Sequence, residues 1–193
     1  MRGLIAAALV AFGLAGPAIA QDDVDPSNVL VIEIDGKAQG TVEIELLPEL
    51  APQHVERIKT LAEAGAYDNV VFHRVIEGFM AQTGDVQFGT VEAFPQGRAG
   101  TGGSDMGDVP AEFGDTPFDR GVVGMARAQN PDSANSQFFI MFEDGHFLNG
   151  QYTVFGRVIS GMDVIDQIQR GSGQSGSVAE PDVMTSVRLK SAE

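Results

Sequence analysis

Hydrophobic and polar residues alternate in short runs along much of the chain between residues 29 and 189, which is typical of β-strands. Residues 29–34 are β-branched and apolar, and in residues 41–46 the apolar side chains fall on one face and the polar ones on the other. These two runs predict a β-hairpin with one solvated face. Further strand-like runs occupy residues 67–83, 122–126, 137–142, 154–158 and 183–189.

Two stretches have helical spacing instead. Residues 51–64 carry apolar side chains three or four positions apart, namely Val55, Ile58, Leu61 and Ala62. Residues 162–170 repeat that spacing with Met162, Ile165 and Ile168. In the last strand, Val183, Thr185, Val187 and Leu189 are predicted to share a face.

Residues 84–121 form a long stretch rich in glycine and aspartate with little periodicity, and loops of that length are usually functional. The chain has 193 residues and no internal repeat, which favours one domain with one core. Many short strands with two separated helices predict a mainly β closed barrel that is capped at its ends. We assign residues 29–193 to this domain.

The first twenty residues differ from the rest. Arg2 is followed by an uncharged stretch that contains an apolar run over residues 4–14, Pro17 and an Ala-Ile-Ala triplet at residues 18–20. This pattern predicts a signal peptide over residues 1–20, followed by a short polar tail over residues 21–28. The alternative, an uncleaved membrane anchor, is disfavoured because the apolar run is short for a bilayer span.

The chain is strongly acidic, with a net charge of −15 at pH 7. Residues 1–20 contain Arg2 and no acidic residue, so their removal changes the charge to −16. An acidic surface repels phosphate groups, and we therefore expect neither nucleic acid nor, after cleavage, a membrane as a partner. Without cysteine the domain has neither disulfides nor thiolate metal sites.

Common catalytic motifs are missing. The three histidines have no metal-binding spacing, and no GxSxG motif occurs. Residues 100–103 read Gly-Thr-Gly-Gly without a following Lys-Ser/Thr, so they do not form a P-loop. Their glycines instead allow another chain to approach the backbone closely. We expect no cofactor and no metal.

Three motifs, in this order, resemble the cyclophilin family: Phe72-His73-Arg74 with Gly78-Phe79-Met80-Ala81-Gln82; Met125-Ala126-Arg127 through Asn135-Ser136-Gln137-Phe138-Phe139; and Phe147-Leu148-Asn149-Gly150 with Val154-Phe155-Gly156. The second motif is closer to bacterial members. The resemblance covers nearly everything from about residue 29 onward. It implies an eight-stranded antiparallel barrel with two α-helices and peptidyl-prolyl cis–trans isomerase activity.

Such an activity fits the absence of a nucleophile. Amide resonance opposes rotation of a prolyl bond by roughly 18–20 kcal/mol, so the uncatalysed change takes tens to hundreds of seconds. A fixed cation in an apolar pocket can localise the lone pair of the prolyl nitrogen while the peptide twists. Acceleration to milliseconds requires roughly 5.5–7 kcal/mol, which a charge-assisted hydrogen bond and positioning can supply.

By resemblance, Arg74 is the catalytic group. The substrate-binding residues are then Phe79, Met80, Gln82, Gly100, Ala126, Arg127, Gln137, Phe139, Phe147, Leu148 and Tyr152. The simpler interpretations are a surface ion pair for the arginine, core packing for the apolar side chains and internal hydrogen bonding for the polar ones. His73 is expected to point to the opposite face of its strand and to be structural.

Three positions depart from many members of the family. Phe147 replaces a tryptophan, and phenylalanine has no hydrogen-bond donor, so we expect weak cyclosporin binding with activity retained. Tyr152 replaces a histidine but keeps an aromatic ring with a polar tip. Arg127 replaces an asparagine and is predicted to favour acidic residues near the substrate proline.

The sequence therefore predicts a monomeric isomerase that acts on proline-containing segments of exported proteins. The periplasm is the expected location, with secretion as the second choice. One alternative is a proline-peptide binding or holdase module with incidental catalysis. Another is a structural subunit of a cell-envelope assembly.

Overall fold

The computed structural model describes residues 24–191. The predicted signal peptide and the first three residues of the tail lie outside the described residues. Within the tail, Pro26–Asn28 forms a 3₁₀ turn, and the Nζ of Lys59 donates to Oδ1 of Asn28 at 2.6 Å. No helix in residues 24–191 is long and apolar enough to cross a membrane.

Nine strands form one antiparallel sheet. They are β1 (Val29–Asp35), β2 (Gly40–Leu46), β3 (Val70–Val71), β4 (Arg74–Ile76), β5 (Met80–Thr83), β6 (Val122–Met125), β7 (Phe138–Met141), β8 (Val154–Ser160) and β9 (Val183–Leu189). Their order across the sheet is β3-β9-β1-β2-β8-β6-β7-β5-β4. Two α-helices are present in the described chain, α1 (Pro52–Glu63) and α2 (Met162–Ile165).

The sheet curls into a half-barrel. Its two outermost strands, β3 and β4, are consecutive in the chain and are separated only by Phe72 and His73. The Phe72 N–H donates to the carbonyl of Asp182 at 3.0 Å, and the Val75 N–H donates to that of Gly176 at 2.8 Å. A mainly β antiparallel fold with two helices is thus confirmed. The closed barrel of eight strands stays a prediction, since the sheet has nine strands in an open order.

The predicted hairpin and first helix are confirmed. Along β1 and β2 every second residue is buried, namely Leu30, Ile32 and Ile34 in one strand and Val42, Ile44 and Leu46 in the other. Helix α1 buries all four predicted apolar residues, Val55, Ile58, Leu61 and Ala62. Together these side chains belong to the main core.

The second helix is shorter than predicted. Helix α2 ends at Ile165 rather than at Arg170, although Ile165 and Ile168 are both fully buried. After the helix, the N–H groups of Gln167 and Ile168 bond three residues back instead of four. The N–H of Gln169 donates to a carboxylate oxygen of Asp182 at 2.6 Å. This long-range contact holds the chain outside the helix.

Of the four residues predicted to share a face in the last strand, Val187 and Leu189 do so, whereas the prediction is wrong for Val183 and Thr185. The pairing of β1 with β9 shifts by one residue between Glu33 and Ile34, which leaves Thr185 as an extra residue. As a result Met184 and Val187 are buried, whereas Thr185 is exposed. The bulge therefore breaks the two-residue alternation.

Candidate active site

Strands β4 and β5 place Arg74 directly opposite Gln82. Nη1 of Arg74 donates to Oε1 of Gln82 at 3.1 Å, and Nε donates to the carbonyl of Ser175 at 3.0 Å. Nη2 has no hydrogen-bond partner within residues 24–191. Partial burial lowers the pKa of Arg74, yet a guanidinium group stays charged at neutral pH. The site thus holds an anchored cation with one donor group free.

A cavity of about 290 Å³ lies beside this guanidinium group. We call it the arginine cavity; it is lined by Arg74, Phe79, Met80, Gln82, Ala126, Arg127, Phe139, Phe147, Leu148 and Tyr152. Met80, Phe139 and Leu148 are buried and belong to a second apolar cluster, separate from the main core. The cavity therefore combines a cation with a rigid apolar wall.

Aromatic packing fixes this wall. The ring of Phe139 stacks on Phe118 at 5.7 Å between centroids and meets the Tyr152 ring edge-on at 5.8 Å. A Cβ atom at Gly124 would lie 2.6 Å from both Phe118 and Phe139, so only glycine fits behind the pair. At the rim, Phe147 is 66% exposed and packs against Phe79 at 5.4 Å.

Arg127 lines the cavity, but its donors bind the protein itself. Nη2 and Nε donate to the carbonyl of Gln151 at 2.9 and 3.2 Å, and Nη1 donates to that of Ala128 at 2.9 Å. Its guanidinium carbon lies 4.5 Å from the centre of the Tyr152 ring. Arg127 thereby holds the segment that carries Tyr152 and adds a positive charge to the rim. Its predicted preference for acidic substrates stays a prediction.

Two glutamines link this site to a second cavity. Nε2 of Gln82 donates to Oε1 of Gln137 at 3.0 Å, and Nε2 of Gln137 donates to the carbonyl of Gly102 at 2.8 Å. The second cavity, here called the glycine cavity, has a volume of about 370 Å³. Its lining residues are Gln82, Gln87, Gly100, Thr101, Gly102, Gly103, Ser104, Asp108, Ala126, Arg127, Ala128, Ser133, Asn135, Ser136 and Gln137.

The fully buried carboxylate of Asp85 holds residues 100–103, here called the glycine loop, in place. One of its oxygens accepts hydrogen bonds from the N–H groups of Gly100 and Gly102 at 2.7 and 2.9 Å. The other accepts from those of Gln87 and Phe88 at 3.1 and 2.8 Å. A Cβ atom at position 102 would lie 2.5 Å from this carboxylate, so the close approach requires glycine.

His73 lies beneath the same loop. Its side chain is buried, and neither ring nitrogen has a hydrogen-bond partner within the described chain. A Cβ atom at Gly100 would lie 3.1 Å from its Nε2. Burial lowers the pKa of His73, which favours a neutral ring at pH 7. His73 does not line the arginine cavity, as expected for a structural residue.

The structure brings ten of the twelve predicted site residues to the arginine cavity. The other two, Gly100 and Gln137, line the glycine cavity. Among the lining residues that the sequence does not indicate are Gln87, Ser104, Asp108, Ala128 and Ser133, and Asn135 stands only within a family motif. Nδ2 of Asn135 donates to Oδ1 of Asp108 at 3.2 Å across 27 positions. No local pattern marks such a contact.

One cluster of three possible metal ligands occurs within residues 24–191, formed by Asp119, Asp144 and His146. All three are exposed, and none lines either cavity. Nε2 of His146 and Oδ1 of Asp119 are 2.7 Å apart, so the cluster contains its own hydrogen bond. The expected absence of a cofactor stays a prediction.

Comparison with known proteins identifies the family. Residues 29–190 match the family model described as "Cyclophilin type peptidyl-prolyl cis-trans isomerase/CLD". A protein of Brucella suis named "Probable peptidyl-prolyl cis-trans isomerase" is 56% identical over 181 residues, which cover 93% of this chain and 90% of the relative.

Solved structures agree with that match. The cyclophilin AquaCyp293 from Hirschia baltica superposes with a TM-score of 0.71 at 30% identity, covering 86% of this chain and 75% of the other. A cyclophilin-type isomerase from Cryptosporidium parvum, crystallised in the presence of the dipeptide Ala-Pro, gives 0.72 at 26% identity and covers 85% and 99% of the two chains. The chain therefore belongs to the family of cyclophilin-type peptidyl-prolyl cis–trans isomerases.

Proposed function

We propose that this protein accelerates rotation about X-Pro bonds in exported proteins and that Arg74 is its catalytic residue. The observation that carries the proposal is the free Nη2 of Arg74 beside an apolar wall. The related structure from Cryptosporidium parvum was crystallised in the presence of Ala-Pro. A proline side chain has the size and apolar character that the arginine cavity accepts.

In this mechanism the proline ring lies against Met80, Phe139 and Leu148. As the peptide twists, the C–N bond loses its resonance and the nitrogen lone pair becomes localised. The Arg74 guanidinium group donates a hydrogen bond to that lone pair. This bond is stronger in the twisted state than in either planar state, so it lowers the barrier. No covalent intermediate and no proton transfer are needed.

Gln82 contributes by orienting the arginine. Its side-chain oxygen accepts from Nη1 of Arg74, and its amide donates onward to Gln137. The guanidinium group is therefore held before substrate binds, and less conformational entropy is lost in the twisted state. Because arginine does not titrate near neutral pH, the catalytic step itself should be insensitive to pH between 6 and 8.

Protease-coupled or magnetisation-exchange kinetics on an X-Pro peptide test the activity and the mechanism together. Wild type is expected to be active and Arg74→Ala strongly impaired. Full activity of Arg74→Ala with normal folding would instead support a proline-peptide binding module with incidental catalysis. Inactive wild type that still binds the peptides would support the same alternative.

The periplasmic location is a separate proposal, which the sequence of residues 1–20 supports. N-terminal sequencing of protein recovered from a periplasmic fraction should begin at Gln21. Recovery only from the cytoplasm, starting at Met1, would contradict export and leave the isomerase proposal untouched.

A further inference from the structure

The glycine cavity continues directly from the arginine cavity, since Gln82, Ala126 and Arg127 line both. A peptide with its proline in one cavity can therefore extend into the other. An extended chain advances about 3.3–3.6 Å per residue. The glycine cavity should then receive a side chain two or three positions from the proline.

Most side-chain donors of the glycine cavity already make a hydrogen bond. Apart from Gln87, each lining side chain with a donor group donates at least one hydrogen bond to an oxygen of the protein itself, namely Gln82, Thr101, Ser104, Arg127, Ser133, Asn135, Ser136 and Gln137. An acidic or other acceptor-rich side chain would find few free partners here. A side chain that donates hydrogen bonds faces no such deficit.

Asp108 gives the cavity an exposed carboxylate. Asn135 donates to Oδ1 of Asp108, while Oδ2 accepts no hydrogen bond within the described chain. Asp108 forms no ion pair within residues 24–191. This carboxylate is fixed by one contact and keeps an oxygen free for a ligand.

The positive and the negative side chain of the glycine cavity lie at opposite ends of it. Arg127 stands at the boundary with the arginine cavity, whereas Asp108 does not line that cavity. Asp108 lines another neighbouring cavity together with Arg57 of α1. The guanidinium group of Arg57 is itself bound to the carbonyls of Gly107 and Asn135, at 2.6 and 3.1 Å. The Arg57 side chain keeps its positive charge but is buried, so the exposed charged group at the far end is the Asp108 carboxylate.

We propose that Asp108 makes this isomerase select X-Pro segments that carry a lysine or arginine two or three residues from the proline. The inference rests on the proposed isomerase function and adds a substrate class to it. A solvent-exposed ion pair contributes modestly, and we expect a two- to five-fold higher kcat/KM for lysine than for glutamate at that position, roughly what such pairs supply.

The test uses peptides with lysine, alanine or glutamate placed two or three residues before or after the proline. Wild type should prefer lysine at one of these positions at low salt. The preference for lysine should shrink at high salt, because the distance over which charges interact, the Debye length, shortens to about 3 Å at 1 M. Asp108→Asn, which keeps an acceptor for Asn135, should bring the ratio of kcat/KM for the lysine peptide to that for the glutamate peptide near one. Asp108→Lys should favour the glutamate peptide instead.

Asp115→Asn is the matched control, since Asp115 is an exposed aspartate in the same aperiodic stretch of residues 84–121 and lines neither cavity. It should retain the wild-type ratio. A ratio that is near one in wild type, or unchanged in Asp108→Asn, would overturn the inference. Peptide binding followed by fluorescence anisotropy gives the same ratio without catalysis. Loss of isomerisation with a preserved binding ratio would contradict only the proposed function.

Discussion

The arginine cavity and the glycine cavity differ in how their walls are built. Four lining residues of the first stand on paired strands, namely Arg74, Met80, Gln82 and Phe139, and Arg74 lies opposite Gln82 in the β4–β5 pair. Loop segments form most of the second, and Asp85 holds the glycine loop through the N–H groups of Gly100 and Gly102. A fixed geometry suits the twisting of a peptide bond, whereas a loop can vary in its lining without disturbing the sheet.

The largest expected effect comes from removing the cation of the arginine cavity. Arg74→Ala should lower kcat/KM by about 10²–10³-fold, the typical loss for one preorganised donor. Arg74→Lys keeps the positive charge but lacks the planar guanidinium group, so its kcat/KM should lie between those of wild type and Arg74→Ala. Because Arg74 is half-buried, the melting temperature should change little. Equal activity of Arg74→Lys and Arg74→Ala would contradict the role of a positioned charge.

The next largest effect compares a substitution in the wall of the arginine cavity with one in the main core. Leu148→Ala should lower the free energy of unfolding by about 2–5 kcal/mol and kcat/KM by about tenfold, since the proline ring loses apolar contact. Ile58→Ala, a fully buried residue of α1, is the control.

Ile58→Ala should cost a similar amount of stability with kcat/KM unchanged. Urea unfolding and peptide kinetics measure the two quantities in each variant. Equal losses of activity in both variants would mean that the wall has no specific part in substrate binding.

A smaller effect concerns the rim. Phe147 is mostly exposed, so Phe147→Trp can add an indole N–H without disturbing the core. Cyclosporin should inhibit wild type weakly and Phe147→Trp about 5–10-fold more strongly, the value of one hydrogen bond. Inhibition constants on one peptide measure this. Tight inhibition of wild type would show that this donor is dispensable.

The smallest effect is a pH dependence of stability. Burial lowers the pKa of His54 and of His73. The unfolded state therefore binds more protons than the folded state below the ordinary pKa of about 6.5. The contributions of His54 and His73 to the free energy of unfolding should be constant above that pH and fall as the pH drops through 6.5 towards the folded-state pKa values. Urea titrations at pH 8, 6 and 5 test this.

Variants of single histidines show which residue causes the pH dependence of stability. His73→Leu removes the ring beneath Gly100, so the free energy of unfolding should depend less on pH. His146 contributes to stability in the opposite direction, because its hydrogen bond with Asp119 raises the pKa of His146. This contribution to the free energy of unfolding is present below about pH 6.5 and is lost as the pH rises through the pKa of His146 in the folded state. His146→Asn should therefore steepen the loss of stability in acid, slightly, since the pair is exposed.

Much of the fold follows from local periodicity. The hairpin of β1 and β2 and helix α1 lie within one or two residues of their predicted bounds because each buries one regular face. The end of α2 and the bulge at Thr185 escaped prediction. Both depend on partners distant in sequence: Asp182 for the chain after α2 and β1 for β9.

The candidate site divides in the same way. Family motifs lead to the residues of the arginine cavity, because most of these residues lie within or next to recognisable strings of sequence. Asp108 lies in an aperiodic loop, and contacts distant in sequence bring it to the glycine cavity, namely its own bond with Asn135 and the bond of the Val109 N–H to the carbonyl of Ala134. The hydrogen bonds of Arg127 to the protein itself could not be predicted either, since its acceptors are backbone carbonyls. Every residue has a backbone carbonyl, so the sequence does not indicate which ones accept.

The position of the last strand has a consequence for how the chain folds. Strand β9 pairs with β1 on one side and with β3 on the other, so the first strand obtains its second neighbour only when residues 183–189 are available. Contacts between residues far apart in the sequence slow folding, because a long loop must close before they form. The sheet therefore stays incomplete until residues 183–189 are available to pair, and its formation should be completed in one late step.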